Sequence, residues 1–327
     1  MIINNAMERI CRKREGKCDY MINIAVLMST YNGSLFIKEQ IESIIAQKGN
    51  FHITIIARDD GSEDGTETIL QEYQDAGKIR WYSGINLGPA RSFYSLIQEN
   101  QGYDYYAFSD QDDVWDNDKL LMAIKSINQG CVDANIPTMY FANAELVDSK
   151  LNSLGKNVYN KFPVLNIESI SARAGILGCT IVFNASLASI IQKSPGIPER
   201  MIMHDSYLAQ VCVAYSGVII ADGESHMKYR QHGKNVVGVS MSWIDKVFDR
   251  IGYSFSKRPI SIAEQSADIL NRFGSGIPAY NAQVLDEIST YRESRVARIK
   301  LAFSRKVRYS SWSIGLRNRI AILLGNL

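Results

Sequence analysis

Between residues 22 and 109, short apolar segments alternate with amphipathic ones, and each apolar segment ends in a polar turn. Buried strands are expected at residues 22–28, 51–57, 79–83 and 103–109. Helices are expected at residues 34–47, 65–73 and 86–98. Ser34 should cap the first of them, and Leu35 should lie on its apolar side. This alternation predicts an α/β fold in which helices cover both faces of a parallel sheet. Ligands of such sheets bind beyond the carboxyl ends of the strands, so the polar turns should meet in one cleft.

The rest of the chain is less regular, and we divide the whole into three segments. Residues 21–240 are expected to form the α/β domain, with later strands at residues 139–143, 180–183, 217–221 and 226–231. Residues 241–327 are expected to be a mainly helical region. Residues 1–20 are polar and lack periodicity. We interpret them either as a dispensable extension before a natural start at Met21 or as a short surface helix.

Charge is distributed unevenly, although the formal net charge is only +2. Residues 21–288 contain 22 basic and 30 acidic side chains, whereas residues 289–327 contain nine basic and one acidic. The acidic body, and the few aromatic residues among the basic ones, argue against nucleic acid as a partner.

The five cysteines are widely spaced and include no CxxC pair. This pattern argues against a disulfide framework or a zinc site, and it favours a reducing compartment. The first residues also lack the apolar core of a secretory signal, so a cytoplasmic location is expected.

Three carboxylates, Asp110, Asp112 and Asp113, follow the expected fourth strand. Because neighbouring like charges repel one another, this cluster favours a site for Mg²⁺ or Mn²⁺ shared with a diphosphate. The alternative is a solvated acidic turn or helix start, where aspartate is common. Asp59 and Asp60 end the second strand, where a carboxylate can bind a nucleotide base or ribose, or can simply satisfy a turn.

Two later segments carry further candidate residues. Asp205 begins an expected helix, where it is either a general base or only a favourable helix start. Beside a metal and a diphosphate, His232 could be a ligand and Arg230 a phosphate contact, although a lone histidine is more often structural. The sequence contains neither GxGxxG nor GxxxxGK[ST], which argues against a dinucleotide dehydrogenase and a P-loop NTPase.

Together, seven motifs between residues 22 and 237 resemble the family 2 glycosyltransferases, in a specific order and spacing. The motifs are residues 29–33, 58–66, 86–88, 109–115, 178–180, 204–205 and 230–233. The resemblance implies the GT-A fold, a Rossmann-like mixed sheet flanked by helices, here with a helical basic C-terminal extension. It also implies an inverting transfer from a nucleotide-diphospho-sugar donor, supported by Mg²⁺ or Mn²⁺.

The resemblance assigns roles to individual residues. Asp205 matches the general base of the family, although the family more often has glutamate where His204 stands. The metal ligands are expected to be Asp112, Asp110 and His232, with Asp113 a lesser candidate. The residues expected to bind the nucleotide sugar are Thr30, Tyr31, Asn32, Asp59, Asp60, Asn86, Gly88, Arg91, Asp110 and Arg230.

The motifs look closest to those of bacterial rhamnosyltransferases of cell-surface polysaccharide synthesis. This implies dTDP-L-rhamnose as the donor and a glycan or lipid-linked acceptor. Within the family, UDP-hexose and UDP-N-acetylhexosamine donors remain alternatives. Outside it, the alternatives are a sugar nucleotidyltransferase, whose glycine-rich phosphate loop the sequence lacks, and a non-catalytic carbohydrate- or nucleic-acid-binding module.

The C-terminal residues 291–327 mix basic and apolar side chains. Val296, Ile299, Ala302 and Phe303 recur at spacings of three and four, with arginines and lysines between them. This pattern is typical of a helix on an anionic membrane surface, and it predicts a peripheral position at the inner face of the cell membrane. The alternative is a helix packed on the body with solvated basic residues.

Overall fold

The structure is a computed structural model, and it describes residues 21–131, 133–173, 175–232 and 260–327. The predicted extension at residues 1–20 and the predicted domain boundary near residue 240 lie outside these ranges. Within the described ranges, nine strands form one mixed sheet flanked by helices.

The strands are β1 (Ile22–Thr30), β2 (Phe51–Asp59), β3 (Ile79–Ser83), β4 (Tyr105–Ser109), β5 (Val114–Trp115), β6 (Thr138–Val147), β7 (Ser153–Asn157), β8 (Val182–Asn184) and β9 (Val218–Arg230). The helices are α1 (Ile37–Ile45), α2 (Thr66–Asp75), α3 (Pro89–Glu99), α4 (Lys119–Gly130), α5 (Ile167–Ser171), α6 (Ala185–Gln192), α7 (His204–Ala214), α8 (Ile262–Phe273), α9 (Ala279–Ser289), α10 (Arg295–Ala302) and α11 (Trp312–Leu324).

The strand order is β3-β2-β1-β4-β8-β6-β9-β5, and β7 pairs with β6. The first four strands are parallel to one another, as the sequence predicts. β8 runs antiparallel to both β4 and β6, which makes the sheet mixed. The register places Thr30 opposite Asp59, and Met28 opposite Ser109. The carboxyl ends of β1, β2 and β4 are therefore adjacent, and the polar turns that follow them converge.

Side chains of β1 alternate between two buried clusters, one on each face of the sheet. Ile24, Val26 and Met28 pack with residues of α1 and α4. Ala25 and Leu27 belong to the other cluster, which includes residues of α3, α7 and the C-terminal helices. Both faces of the sheet are thus covered by helices.

The first helix differs from the prediction. The sequence predicts a helix that Ser34 caps, but α1 begins at Ile37. The Ser34 amide and hydroxyl instead donate to Asp64 Oδ2, at 3.1 and 2.8 Å. Leu35, predicted on the apolar side of the helix, is 79% exposed because it lies in the turn before α1. The apolar periodicity of the sequence thus continues into the turn before the helix, which itself begins only at Ile37.

The C-terminal helices share the core of the sheet. Ile269 of α8, Leu285 of α9 and Ile322 of α11 are fully buried in the same cluster as Leu27. Leu327 is also buried, and its carbonyl accepts hydrogen bonds from the Ile262 amide at 3.3 Å and the Tyr291 hydroxyl at 2.9 Å. No helix in the described ranges combines the length and apolarity that a bilayer crossing requires.

Ile322→Ala should lower the free energy of unfolding by about 2–5 kcal/mol, because truncation of a buried side chain leaves a cavity. Leu316→Ala is the matched control on the same helix, since Leu316 is 43% exposed, and it should change the free energy by less than about 0.5 kcal/mol. Urea denaturation followed by circular dichroism measures both values. Equally small decreases in the free energy of unfolding for both variants would show that α11 does not pack on the core.

Candidate active site

A cleft of about 470 Å³ opens at the carboxyl ends of β1, β2 and β4. Nine of the residues predicted to bind the donor or a metal, or to act as a base, line it. They are Tyr31, Asn32, Asp60, Asn86, Gly88, Asp110, Asp112, Asp205 and His232. Residues separated by up to 201 positions, from Tyr31 to His232, thus meet in one cleft because the strand ends that carry them are adjacent.

Asp59 does not line the cleft, although it directly precedes Asp60. Its carboxylate is fully buried and accepts hydrogen bonds from Thr30 Oγ1 at 2.7 Å and from the Gly61 amide at 3.0 Å. The Ser62 amide and hydroxyl donate to it as well, at 2.7 and 2.6 Å. Thr30 and Asp59 therefore fix the turn after β2, and neither contributes to the cleft lining.

Asp60 is the carboxylate of this turn that reaches the cleft. It forms a buried ion pair with Arg58, and its Oδ2 accepts a hydrogen bond from the Leu87 amide at 3.1 Å. Arg58 also donates to the Ile85 carbonyl at 2.9 Å and to Ser92 Oγ at 3.2 Å. The pair thereby connects the end of β2 to the loop before α3.

Arg230 and Arg91 also lie outside the cleft lining. Arg230 is 2% exposed and donates to the carbonyls of Asp112 at 2.8 Å and Ser149 at 2.7 Å. It also pairs with Glu39 of α1. Arg230 therefore holds the acidic loop after β4 against α1 and the end of β6. Arg91 lies in the first turn of α3.

The three carboxylates after β4 differ in their surroundings. Asp110 and Asp112 face the cleft, whereas Asp113 is fully buried. Burial raises the pKa of Asp110 to about 7, and the charges of Asp112 and Asp205 act in the same direction. Burial and the charges of Asp112 and Asp110 also raise the pKa of Asp113 well above its usual range. Asp113 Oδ1 accepts a hydrogen bond from the Arg230 amide at 3.2 Å, but Oδ2 has no partner within the described residues.

Lys119 is a buried cation next to this cluster. It is 1% exposed, and its Nζ lies 3.5 Å from the centre of the Trp115 ring. Burial lowers its pKa to about 7, while Cys179, Asp113 and Asp110 oppose this shift whenever they are ionised. Burial also raises the pKa of the Cys179 thiol, which is therefore neutral at physiological pH. Lys119 offsets only part of the negative charge that the carboxylates carry when they are ionised.

Asp112 and His232 form a pair beside the other acidic residues, on the side that faces the cleft. His232 Nε2 lies 2.7 Å from Asp112 Oδ2, and the His232 ring packs against Phe36 with 4.9 Å between ring centres. Both side chains are partly exposed and line the cleft. A carboxylate oxygen and an imidazole nitrogen are thus presented together to any bound ligand.

Asp205 lies in the first turn of α7 and lines the cleft. Burial raises its pKa to about 6. Backbone hydrogen bonds from Ser206 and Gly178, and the charge of Arg173, partly oppose this shift. At pH 7 and above, Asp205 is therefore mostly ionised and able to accept a proton.

His204 is a neutral ring beside Asp205. It is 5% exposed, stacks on Phe93 with 4.1 Å between ring centres, and meets Phe108 edge to face at 4.8 Å. Burial lowers its pKa to about 3. A Cβ added at Gly178 would lie 2.6 Å from His204 Nε2 and 3.3 Å from Asp205 Oδ2, so this position requires glycine.

Several cleft residues were not among those predicted. They are Ser29, Pro89, Phe93, Gln111, Leu177, Gly178, Met203, His204 and Tyr229. Strand alternation could have identified Ser29, because neighbouring residues of β1 face opposite sides of the sheet and Thr30 points away from the cleft. Gln111 exchanges hydrogen bonds with the backbone of Tyr31, at 2.9 and 3.0 Å, and no sequence pattern indicates that contact.

Comparison with known proteins identifies the family. The model of glycosyl transferase family 2 matches residues 25–190. The dTDP-rhamnosyl transferase RfbG of Shigella flexneri is 30% identical over 273 residues, which cover 76% of this chain and 89% of that protein. This chain belongs to glycosyltransferase family 2. The resemblance of its motifs to that family is thereby confirmed.

Solved structures show the fold of this glycosyltransferase. S. aureus TarS 1–349, solved in complex with UDP-GlcNAc, matches with a TM-score of 0.54 at 16% identity, over 87% of this chain and 77% of that one. The mannosyltransferase PcManGT of Pyrobaculum calidifontis, solved with GDP-Man and Mn²⁺, matches with a TM-score of 0.50 at 16% identity. The match covers 97% of this chain and 80% of that one. The fold is therefore GT-A, as predicted.

Asp59→Asn should lower the free energy of unfolding by about 2 kcal/mol or more, because buried donors lose a charged acceptor. Asp112→Asn is the matched control, since it removes one of several crowded like charges, and it should leave the free energy within about 0.5 kcal/mol of the wild-type value or raise it. Both are measured by urea denaturation in the presence of a chelator. Wild-type stability of the Asp59 variant would contradict its role in the turn.

Proposed function

We propose that this glycosyltransferase is an inverting rhamnosyltransferase that moves L-rhamnose from dTDP-L-rhamnose to a hydroxyl of a glycan or lipid-linked acceptor. The reaction would belong to bacterial cell-surface polysaccharide synthesis. The main support for the transfer chemistry is that Asp205, Asp110 and Asp112 line the same cleft. The choice of sugar is supported by the 30% identity to RfbG, a dTDP-rhamnosyl transferase. A UDP-hexose or UDP-N-acetylhexosamine donor is the alternative.

The residues at the end of β4 fit Mg²⁺ or Mn²⁺. Asp112, Asp110 and His232 would hold the ion, because carboxylate oxygens and an imidazole nitrogen face the cleft together. The raised pKa of Asp110 reflects burial and crowded negative charge, which a cation would relieve. When bound, the ion supplies positive charge for the leaving diphosphate.

The transfer itself is a single displacement. Asp205 takes the proton of the acceptor hydroxyl as that oxygen forms a bond to the anomeric carbon. The bond from this carbon to the diphosphate oxygen breaks, and the nucleoside diphosphate leaves with the electron pair. Attack from the face opposite the leaving group inverts the anomeric configuration. Tyr31, Asp60, Asn86 and Gly88 would bind the nucleotide at the other end of the cleft.

A thermal-shift screen of dTDP-, UDP- and GDP-sugars with Mg²⁺ or Mn²⁺ tests this function. The largest metal-dependent shift is expected with dTDP-L-rhamnose. Asp112→Asn should abolish the metal-dependent part of the thermal shift, because it removes a proposed metal ligand. Asp205→Asn should keep the shift but reduce transfer by about 10²-fold or more, because it removes the base.

Three results would contradict this assignment. A metal-independent response, or no response to any donor, would argue against the metal site. Normal transfer by the Asp205 variant would remove Asp205 as the base. A shift confined to UDP-sugars would favour the alternative donors.

We also propose that helix α10 rests on the inner face of the cell membrane. Val296, Ile299 and Phe303 are 76%, 53% and 66% exposed, although all three are apolar. Exposed basic residues surround them: Arg295, Lys300, Arg305 and Lys306. Ala302, by contrast, is fully buried and attaches the helix to the body. An apolar stripe between basic side chains suits an anionic lipid surface.

Ile299→Glu combined with Phe303→Glu should abolish co-sedimentation with phosphatidylglycerol vesicles, because it places charge in the apolar stripe. Leu35→Glu is the matched control, since Leu35 is 79% exposed and does not belong to α10, and it should sediment as the wild type does. These substitutions are on the surface and should leave the thermal midpoint unchanged within a few degrees. Equal sedimentation of all three proteins would contradict membrane binding through α10.

A further inference from the structure

The cleft is lined differently at its two ends. The end proposed to bind the nucleotide carries polar side chains, among them Asn32, Asp60 and Asn86. The lining near Asp205 includes apolar side chains instead, namely Phe93, Leu177 and Met203. Because apolar and polar surfaces bind different chemical groups, these three residues bear on what the Asp205 end accepts.

Leu177 and Met203 are held next to Asp205 by the segments that position it. Met203 directly precedes α7 and stands two residues before Asp205. Leu177 is followed by Gly178, whose amide donates a hydrogen bond to the Asp205 carboxylate. Both apolar side chains are half-buried, and Met203 packs against neither buried cluster of the described chain. A ligand that reaches Asp205 therefore meets Leu177 and Met203 as well.

His204 completes this surface with an aromatic ring that carries no charge. It stacks on Phe93, and burial lowers its pKa to about 3. Both ring nitrogens are buried, and neither has a hydrogen-bond partner among the described residues. His204 thus presents an uncharged ring where the family more often has glutamate. We call these four residues the apolar wall: Phe93, Leu177, Met203 and His204.

The proposed transfer places the donor sugar beside the apolar wall. Its diphosphate lies at Asp110 and Asp112, and the acceptor oxygen lies at Asp205. The anomeric carbon must sit between these groups, so the sugar ring attached to it reaches the surroundings of Asp205. A hydroxyl pressed against the apolar wall loses its hydrogen bonds to water, whereas a methyl group gains from burial.

We propose that Leu177 and Met203 select a 6-deoxy sugar by contacting the methyl group at C6 of the donor. L-Rhamnose is a sugar of this class, because its C6 carries no oxygen. A hexose with a hydroxymethyl group would place an unpaired hydroxyl against the same two side chains. This assignment rests on the proposed function, since it takes Asp205 as the base and binds the donor in this cleft.

Pairs of donors that differ only by the oxygen on C6 test the apolar wall. One pair is dTDP-L-rhamnose and dTDP-L-mannose, and the other is UDP-6-deoxy-D-glucose and UDP-D-glucose. Each is titrated by calorimetry in the presence of Mn²⁺ and without acceptor, and dTDP and UDP are titrated in parallel. In the pair that binds more tightly, the 6-deoxy member should have about tenfold higher affinity than its partner.

Variants then locate this preference. Met203→Gln and Leu177→Asn keep a similar size but add an amide, so each should reduce the preference to about twofold or less. Affinity for dTDP should stay the same, because the nucleotide lies at the other end of the cleft. Leu154→Asn is the matched control, since Leu154 is 47% exposed on β7 and does not line the cleft, and it should keep the wild-type preference.

Three results would overturn the assignment. These are equal affinity within both pairs, a wild-type preference in both the Met203 and Leu177 variants, and sugar nucleotides that bind no more tightly than the bare nucleotides. Failure of the proposed function looks different. A 6-deoxy preference found only in the UDP pair would contradict dTDP-L-rhamnose as the donor but support the apolar wall. Tight binding of dTDP-L-rhamnose without preference over dTDP-L-mannose would do the reverse.

Discussion

Crowding of negative charge at the end of β4 is the constraint on which the site depends. Asp110, Asp112 and Asp113 lie within four residues of one short loop, and Asp205 is near enough for its charge to raise the pKa of Asp110. Partial protonation of the buried carboxylates and the neighbouring Lys119 make this arrangement tolerable without a ligand. The same arrangement becomes more favourable when a cation enters, so the acidic loop is suited to a charged donor complex.

Such a loop needs rigid support, and the fold supplies it through buried polar contacts. Arg230, at the end of β9, holds the acidic loop: its amide donates to the Asp113 carboxylate and its guanidinium donates to the Asp112 carbonyl. The Arg58–Asp60 pair and the turn around Asp59 hold the facing side of the cleft in a similar way. These groups have hydrogen-bonding or charged partners despite their burial, as buried polar groups generally require. Asp59 and Arg230, which were expected to bind the nucleotide sugar, therefore hold the loops around the cleft in place.

The order of strands and helices in the first half was predictable because each element has a clear local period. The convergence of Asp60, Asp110 and Asp205 followed from parallel strands and from the resemblance of the motifs. The roles of Asp59 and Arg230 were not predictable, since local sequence does not show the direction of a side chain beyond a strand end. The antiparallel β8 and the packing of α11 also depend on distant contacts. Leu35 was predicted to lie in a helix because it continues the apolar pattern, but it lies in an exposed turn.

Besides the cleft, a second cavity of about 630 Å³ has one wall from residues 158–163, 173 and 175 and the other from residues 309–317, more than 130 residues further along the sequence. The acidic loop, Asp205 and the other residues that line the cleft lie outside residues 309–317. Changes in the segment before α11 can therefore alter one cavity without altering the other. In an evolving lineage, such separation lets recombination or drift near the C-terminus change this cavity while the cleft that holds Asp205 is inherited unchanged. The same separation offers protein engineers a short segment to exchange between relatives.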